Sequence, residues 1–391
     1  MQHDSICRSA RALIAVALLF SGATSVHAAN DPRAQARRLH DRLTGTPPSA
    51  SVLTQMESLI AANNADAAAR LAMQSPAFYR VVLKNFATPW SNREQSAFAP
   101  LNDYSATVIG MVRDDVPFNT LLSGDVVYVG GSGFPAYSPA NNDLYQALED
   151  QNADLSSPSV LVRAAQSQAS GLPAAATAGV MTTRAAAQAF FVAGTNRAMF
   201  RFTMINHLCK DMEQLADTSR PPDRIRQDVS RSPGGDSRLF LNNCIGCHSG
   251  MDPMAQAFAF YSWDEATARI TYTPNQVQAK YLINSDNFKP GYVTPDDHWD
   301  NYWRGGPNQL LGWSAGLSGS GSGAKALGDE IGNSEQFARC QVEKVFKQVC
   351  LRSPGNAQDR GKVDSITGVF KSGGYKLKDA FAQAAVYCMG G

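Results

Sequence analysis

Nowhere in its 391 residues does the chain hold about 20 consecutive apolar side chains, the length a helix needs to cross a bilayer. Charge is sparse and balanced: 18% of residues are Asp, Glu, Lys or Arg, with a formal net charge of +1. Without basic or acidic blocks there is no electrostatic footprint for nucleic acid or another polyanion. Histidine is scarce, at six in all. No second Cys-x-x-Cys or closely spaced histidine pair accompanies the one at 244–248, so the two ligand pairs of a typical structural zinc site are lacking. No internal repeat is evident. What is present is the composition of a folded protein, 44% hydrophobic and long enough for two domains of ordinary size.

At the N-terminus, Arg8 and Arg11 precede the short apolar run "ALIAVALLF" (12–20) and the small, polar stretch "SGATSVHAAN". This pattern predicts a signal peptide over residues 1–29, cleaved after Ala28 or Ala29, and export to the periplasm with no membrane span afterwards. Cys7 lies before the apolar run and is not placed to be a lipoprotein anchor. Cys209, Cys244, Cys247, Cys340, Cys350 and Cys388 remain, and an oxidising compartment favours disulfides among those not otherwise used.

Helical spacing dominates. An alanine-rich helical stretch, broken by "GTPPSAS" (45–51), comes first. Ser91 and Glu94 form a capping-box pattern that predicts a helix start. "GDVVYVGG" (124–131) is the one convincing strand, residues 142–168 return to helical spacing, and "SGLPAAATAG" (170–179) reads as a linker or surface loop. Phe200, Met204, Leu208, Met212 and Leu215 recur at helical steps until Pro221 and Pro222. "LSGSGSGAKALG" (317–328) reads as a flexible loop. Residues 334–355 hold the clearest helix, with Ser334 as cap and Pro354 and Gly355 as stop. The expected fold is mainly α with few short strands: a helical N-terminal domain over 30–180, then a second helical domain over 181–391.

"NNCIGCHSG" (242–250) carries the chemistry. Cys-x-x-Cys-His is the spacing for covalent attachment of haem c. Two thiols in one helical turn meet two vinyl groups along one porphyrin edge, and the next imidazole lies under the iron as proximal ligand. Cys244 and Cys247 are the attachment candidates and His248 the ligand. A thioredoxin-type pair would follow a strand in a βαβ pattern, whereas a proline- and glycine-rich turn and short helix precede this one. A plain local disulfide leaves His248 without a role.

Of the other cysteines, 340 and 350 are about 15 Å apart on one helix, beyond bridging reach. Two pairings remain: 209–340 with 350–388, or 209–350 with 340–388. For the sixth iron position the candidates are His298, among the aromatics of "DDHWDNYWR", and Met389; His207 sits in a methionine-bearing helix, and Met251 and Met254 follow the motif too closely. Trp299 and Trp303, four residues apart, are expected on one helical face near the haem.

Several stretches in order, "TNRAMFRFTMINHLCKDMEQLADTSRPPDRI", "CIGCHSGMDPMAQAF" and "SEQFARCQVEKVFKQVC" among them, resemble the planctomycete-type cytochrome c-like proteins. Arg197, Cys209, Pro221, Pro222, Cys244, Cys247, His248, Asp252, Pro253, Phe337, Ala338 and Cys340 occupy the positions of that pattern, over residues 85–391. Relatives commonly have glycine shortly after Asp-Pro, where this chain has "MAQ". The resemblance implies an exported, helical, single-haem protein and no particular substrate. The expected function is one-electron transfer with another exported redox protein. The alternatives are a haem enzyme, such as an oxidase or peroxidase, with an open sixth position, and an envelope scaffold in which haem is structural.

Overall fold

A computed structural model describes residues 31–192, 194–282 and 291–390. The expected signal peptide lies outside the described residues. Helix α1 (Pro32–Thr44) starts where the Asp31 carboxylate accepts from the N–H groups of Arg33 and Ala34, and Gly45, at φ +69°, ends it. After the expected break come α2 (Ala50–Ala61) and α3 (Ala65–Ala72), capped by Ser49 and Asn64. A π-helical stretch, Phe78–Leu83, leads into α4 (Lys84–Ala87).

Ser91 does not begin a helix. It closes a 3-10 turn (Thr88–Ser91), and its hydroxyl accepts from the Asn102 side chain at 2.8 Å. The capping box forms at Asn102 and Ser105 instead, at the head of the buried helix α5 (Asp103–Arg113). Within 142–168, α6 (Asp143–Asp150) and α7 (Gln166–Ser170) flank a strand that helical spacing concealed, β2 (Leu161–Ala164), which pairs with the expected strand β1 (Val127–Gly130). Next come α8 (Arg184–Phe190), α9 (Arg197–Leu208), α10 (Ser237–Leu239) and α11 (Ile245–Ala255). Two further antiparallel pairs join β3 (Tyr261–Asp264) to β4 (Arg269–Tyr272) and β5 (His298–Asp300) to β6 (Ser320–Ser322). The supposed flexible loop at 317–328 is therefore ordered: it supplies β6 and opens α12 (Gly323–Gly332). Glycine at 321 suits that strand because a Cβ there would lie 3.1 Å from the Trp299 ring. The fold is mainly α, and the strands of the described residues form three two-stranded pairs.

Helix α13 (Glu335–Cys350) is the one most legible in sequence. The Ser334 hydroxyl accepts from Phe337 N at 3.1 Å, and Val342, Val345, Phe346 and Val349 are buried. Helices α14 (Ala357–Ser372) and α15 (Leu377–Cys388) pack on it, and α1 and α3 pack on α15. One hydrophobic core thus runs from Ala36 to Ala385. The expected boundary near residue 180 does not coincide with a break in packing. In the presumed linker Ala176, Thr177 and Ala178 are buried, and a Cβ on Gly179 would fall 1.9 Å from the Leu121 carbonyl oxygen. The disulfides are Cys209–Cys340 and Cys350–Cys388, the first of the two expected pairings; they tie the end of α9 to the N-terminal half of α13 and α15 to its last residue. Among the described residues no helix is long and apolar enough to cross a membrane.

Candidate haem attachment site

The approach to the motif is a turn through Pro233–Gly235, after which Asp236 caps α10 by accepting from Arg238 N at 2.9 Å. The chain widens into a π-helical turn (Phe240–Cys244) before α11, a local feature that often accompanies functional sites. Segment 212–218 packs against the first turn of α11. Asp217 N donates to Gly246 O at 2.9 Å, and the Cys247 thiol donates to Met212 O at 3.4 Å. Burial pushes the Cys247 thiol above its usual pKa, and Glu213, Cys244 and Asp211 push the same way. Cys244 and Cys247 are half-buried free thiols, joined neither to each other nor to the bridged pairs.

One turn further on, His248 Nδ1 lies 3.2 and 3.3 Å from the two carboxylate oxygens of Asp252, whose side chain is fully buried. Arg197, the first residue of α9, grips the same carboxylate with both arms of its fork: Nε donates to Oδ1 at 2.7 Å and Nη2 to Oδ2 at 2.9 Å. Two of its three remaining donors go to Asp228, at 2.6 and 3.0 Å. Arg226 donates its main-chain N–H to Asp252 Oδ2 at 3.4 Å, and its guanidinium stacks over Tyr281. Burial alone would raise the Asp252 pKa; Arg197, Arg226 and His248 outweigh it and hold the carboxyl well below the usual carboxylate range. The bonds to Arg197 are the shorter ones, so the arginine takes most of the carboxylate's charge, and Asp252 acts on His248 chiefly by orienting the ring. With Nδ1 held in this way, Nε2 is the nitrogen left for a metal.

A cavity of about 500 Å³ is bounded by Phe240 and Leu241, one turn before Cys244, and by Pro222, Ile225, Arg231 and Tyr292. That volume lies in the range that encloses small-molecule ligands. Among the described residues no three His, Cys, Asp or Glu side chains converge as a metal cage requires. Covalent haem asks for a different layout, with two thiols along an edge and one imidazole to the iron; Cys244, Cys247 and His248 follow one another where the π-helical turn runs into α11.

The two distal candidates lie on different elements. His298 is on β5, which packs on α11, with its side chain 48% exposed and Nε2 3.5 Å from Asp300. Met389 follows α15, where its carbonyl accepts from Arg38 Nε at 2.6 Å. Neither borders the cavity beside Phe240. His207 is buried, 2.7 Å from the Tyr104 hydroxyl, and Met251 and Met254 are buried in the core. Trp299 and Trp303 share no helix: one is on β5 and the other in a 3-10 turn (Tyr302–Arg304), both buried. Asp228 and Arg226 are the members of the site that no sequence signal marked, since their partners lie at a distance along the chain.

No protein-family model matches the chain, and no curated protein or solved structure matches it.

Proposed function

We propose that the chain is a periplasmic monohaem c-type cytochrome that exchanges single electrons with another exported redox protein. The observation that carries this reading is the His248–Asp252–Arg197 relay beside two cysteines left free while four others are bridged. In this reading Cys244 and Cys247 hold the porphyrin by thioethers and His248 Nε2 faces the iron. Asp252, pinned by Arg197, keeps the imidazole from rotating away. Bound haem supplies a one-electron iron couple; the chain supplies attachment, ring orientation and exclusion of water. The test is a pyridine haemochrome spectrum of protein produced with the c-type maturation machinery. A c-type spectrum that disappears in Cys244→Ala/Cys247→Ala is expected, and a colourless, matured chain with the mass of bare polypeptide overturns the reading.

A second reading, a haem enzyme with an open sixth position, is favoured by one observation: His298, on the strand that packs on α11, is half exposed and turns its Nε2 to Asp300, 3.5 Å away. Rapid carbon monoxide and cyanide binding with high-spin ferric bands supports the enzyme, and a low-spin, ligand-resistant spectrum supports the carrier.

A further inference from the structure

A second cavity, of about 790 Å³, opens between residues 91–102, Asn142, α8 and Glu265. Arg184 lines it and is only 9% exposed. Its guanidinium is held by neutral amides: Nη1 donates to Gln188 Oε1 at 2.9 Å and Nη2 to Asn142 Oδ1 at 3.2 Å. Among the described residues it makes no ion pair with a carboxylate, unlike Arg197, Arg224 and Arg304, which meet Asp252, Asp300 and Glu330. The nearby acid, Asp103, is engaged elsewhere. Its oxygens accept the main-chain N–H groups of Arg184 and Ala185 at 2.6 and 3.0 Å, and so cap α8 and leave the guanidinium unpaired.

A buried arginine without a counter-ion is costly, and a guanidinium has five N–H donors of which two are spent here. The fork is also preset. The Asn142 amide that holds it is itself fixed by donating to Leu101 O at 2.8 Å. Arg93 lines the same cavity, with its Nε on the Ala189 carbonyl. Glu94 and Glu265 complete the charged lining, so the charges of the wall balance. Such a wall suits a single negative charge set against Arg184 better than a dianion such as phosphate.

We propose that this cavity binds a small molecule through one carboxylate group, received by the Arg184 fork with Arg93 beside it. The site is independent of the haem reading. It is tested by calorimetric titration of the mature, full chain with acetate, succinate, gluconate, L-glutamate and inorganic phosphate at matched ionic strength. At least one carboxylate is expected to bind saturably. Arg184→Gln should weaken it about tenfold or more, and Arg184→Lys should recover only part, because an ammonium lacks the planar fork. Arg93→Gln, at an exposed position, should fold normally and also weaken binding. The proposal is overturned if no carboxylate gives a saturable signal or if phosphate is preferred. It is equally overturned by undiminished affinity in a folded Arg184→Gln or, should that variant not fold, in Arg93→Gln.

Discussion

The indole of Trp303 occupies the space where Gly250 would carry a side chain: a Cβ on Gly250 would lie 1.9 Å from Trp303 Nε1. Gly250 is two residues past His248 on α11, and Trp303 is fully buried, so neither can retreat. Gly250→Ala is therefore expected to destabilise the chain by overpacking, by about 1–3 kcal/mol or more. Trp303→Leu opens a cavity and is destabilising alone. In the double variant the two losses should be less than additive, as a cycle of urea unfolding midpoints will show.

Asp252→Asn removes the charge that Arg197 grips. Breaking a buried pair costs about 3–5 kcal/mol, and because Asp228 still engages Arg197 the loss should fall at the lower end. In haem-loaded protein the amide is a weaker acceptor for His248 Nδ1, so the reduction potential should rise. Denaturant unfolding checks the first outcome and spectroelectrochemistry the second.

His207 gives the stability a pH dependence. Its burial, with Lys344 close by, holds its pKa well below the ordinary value, so the folded chain keeps it neutral. The unfolded chain takes up that proton below about pH 6.5. Stability should fall as pH drops from there towards the folded value, by about 1.4 kcal/mol per unit from this one site. His207→Gln should be less stable at pH 7.5, through lost packing, yet show a flatter decline between about pH 6.5 and 5. His40, also lowered by burial, titrates in both proteins and cancels in the comparison.

The two disulfides should differ in worth. Cys209–Cys340 spans 131 residues and Cys350–Cys388 spans 38. On chain entropy alone, replacing the longer-range pair by alanines should cost about 1 kcal/mol more than replacing the shorter, out of a typical loss of about 2–5 kcal/mol each. Thermal unfolding of the two double variants decides it.

Much of the helical architecture was legible because its signals are local. Ser334, the apolar spacing of 342–349 and Pro354 mark a helix from within its own twenty or so residues, and the helix is there. Apart from Val127–Gly130, the strands were hidden because each is three or four residues long and gains its identity only from its partner, as Ser320–Ser322 does from His298–Asp300. The capping pattern at Ser91 failed for a related reason: its hydroxyl is claimed by Asn102, a contact that no local window contains.

The same division runs through the candidate sites. The sequence by itself determined the Cys-x-x-Cys-His spacing, the helical class and the narrow choice of cystine pairings, all of which depend on distances along the chain. Only the tertiary structure decided that Cys209 meets Cys340, that Asp252 and Asp228 close around Arg197, and that residues 176–179 are packed interior. It alone set Arg184 against a cavity with neutral amides, and no carboxylate among the described residues, on its guanidinium. Charge compensation and close packing join residues that are neighbours in space, and the order of the amino acids does not list those neighbours.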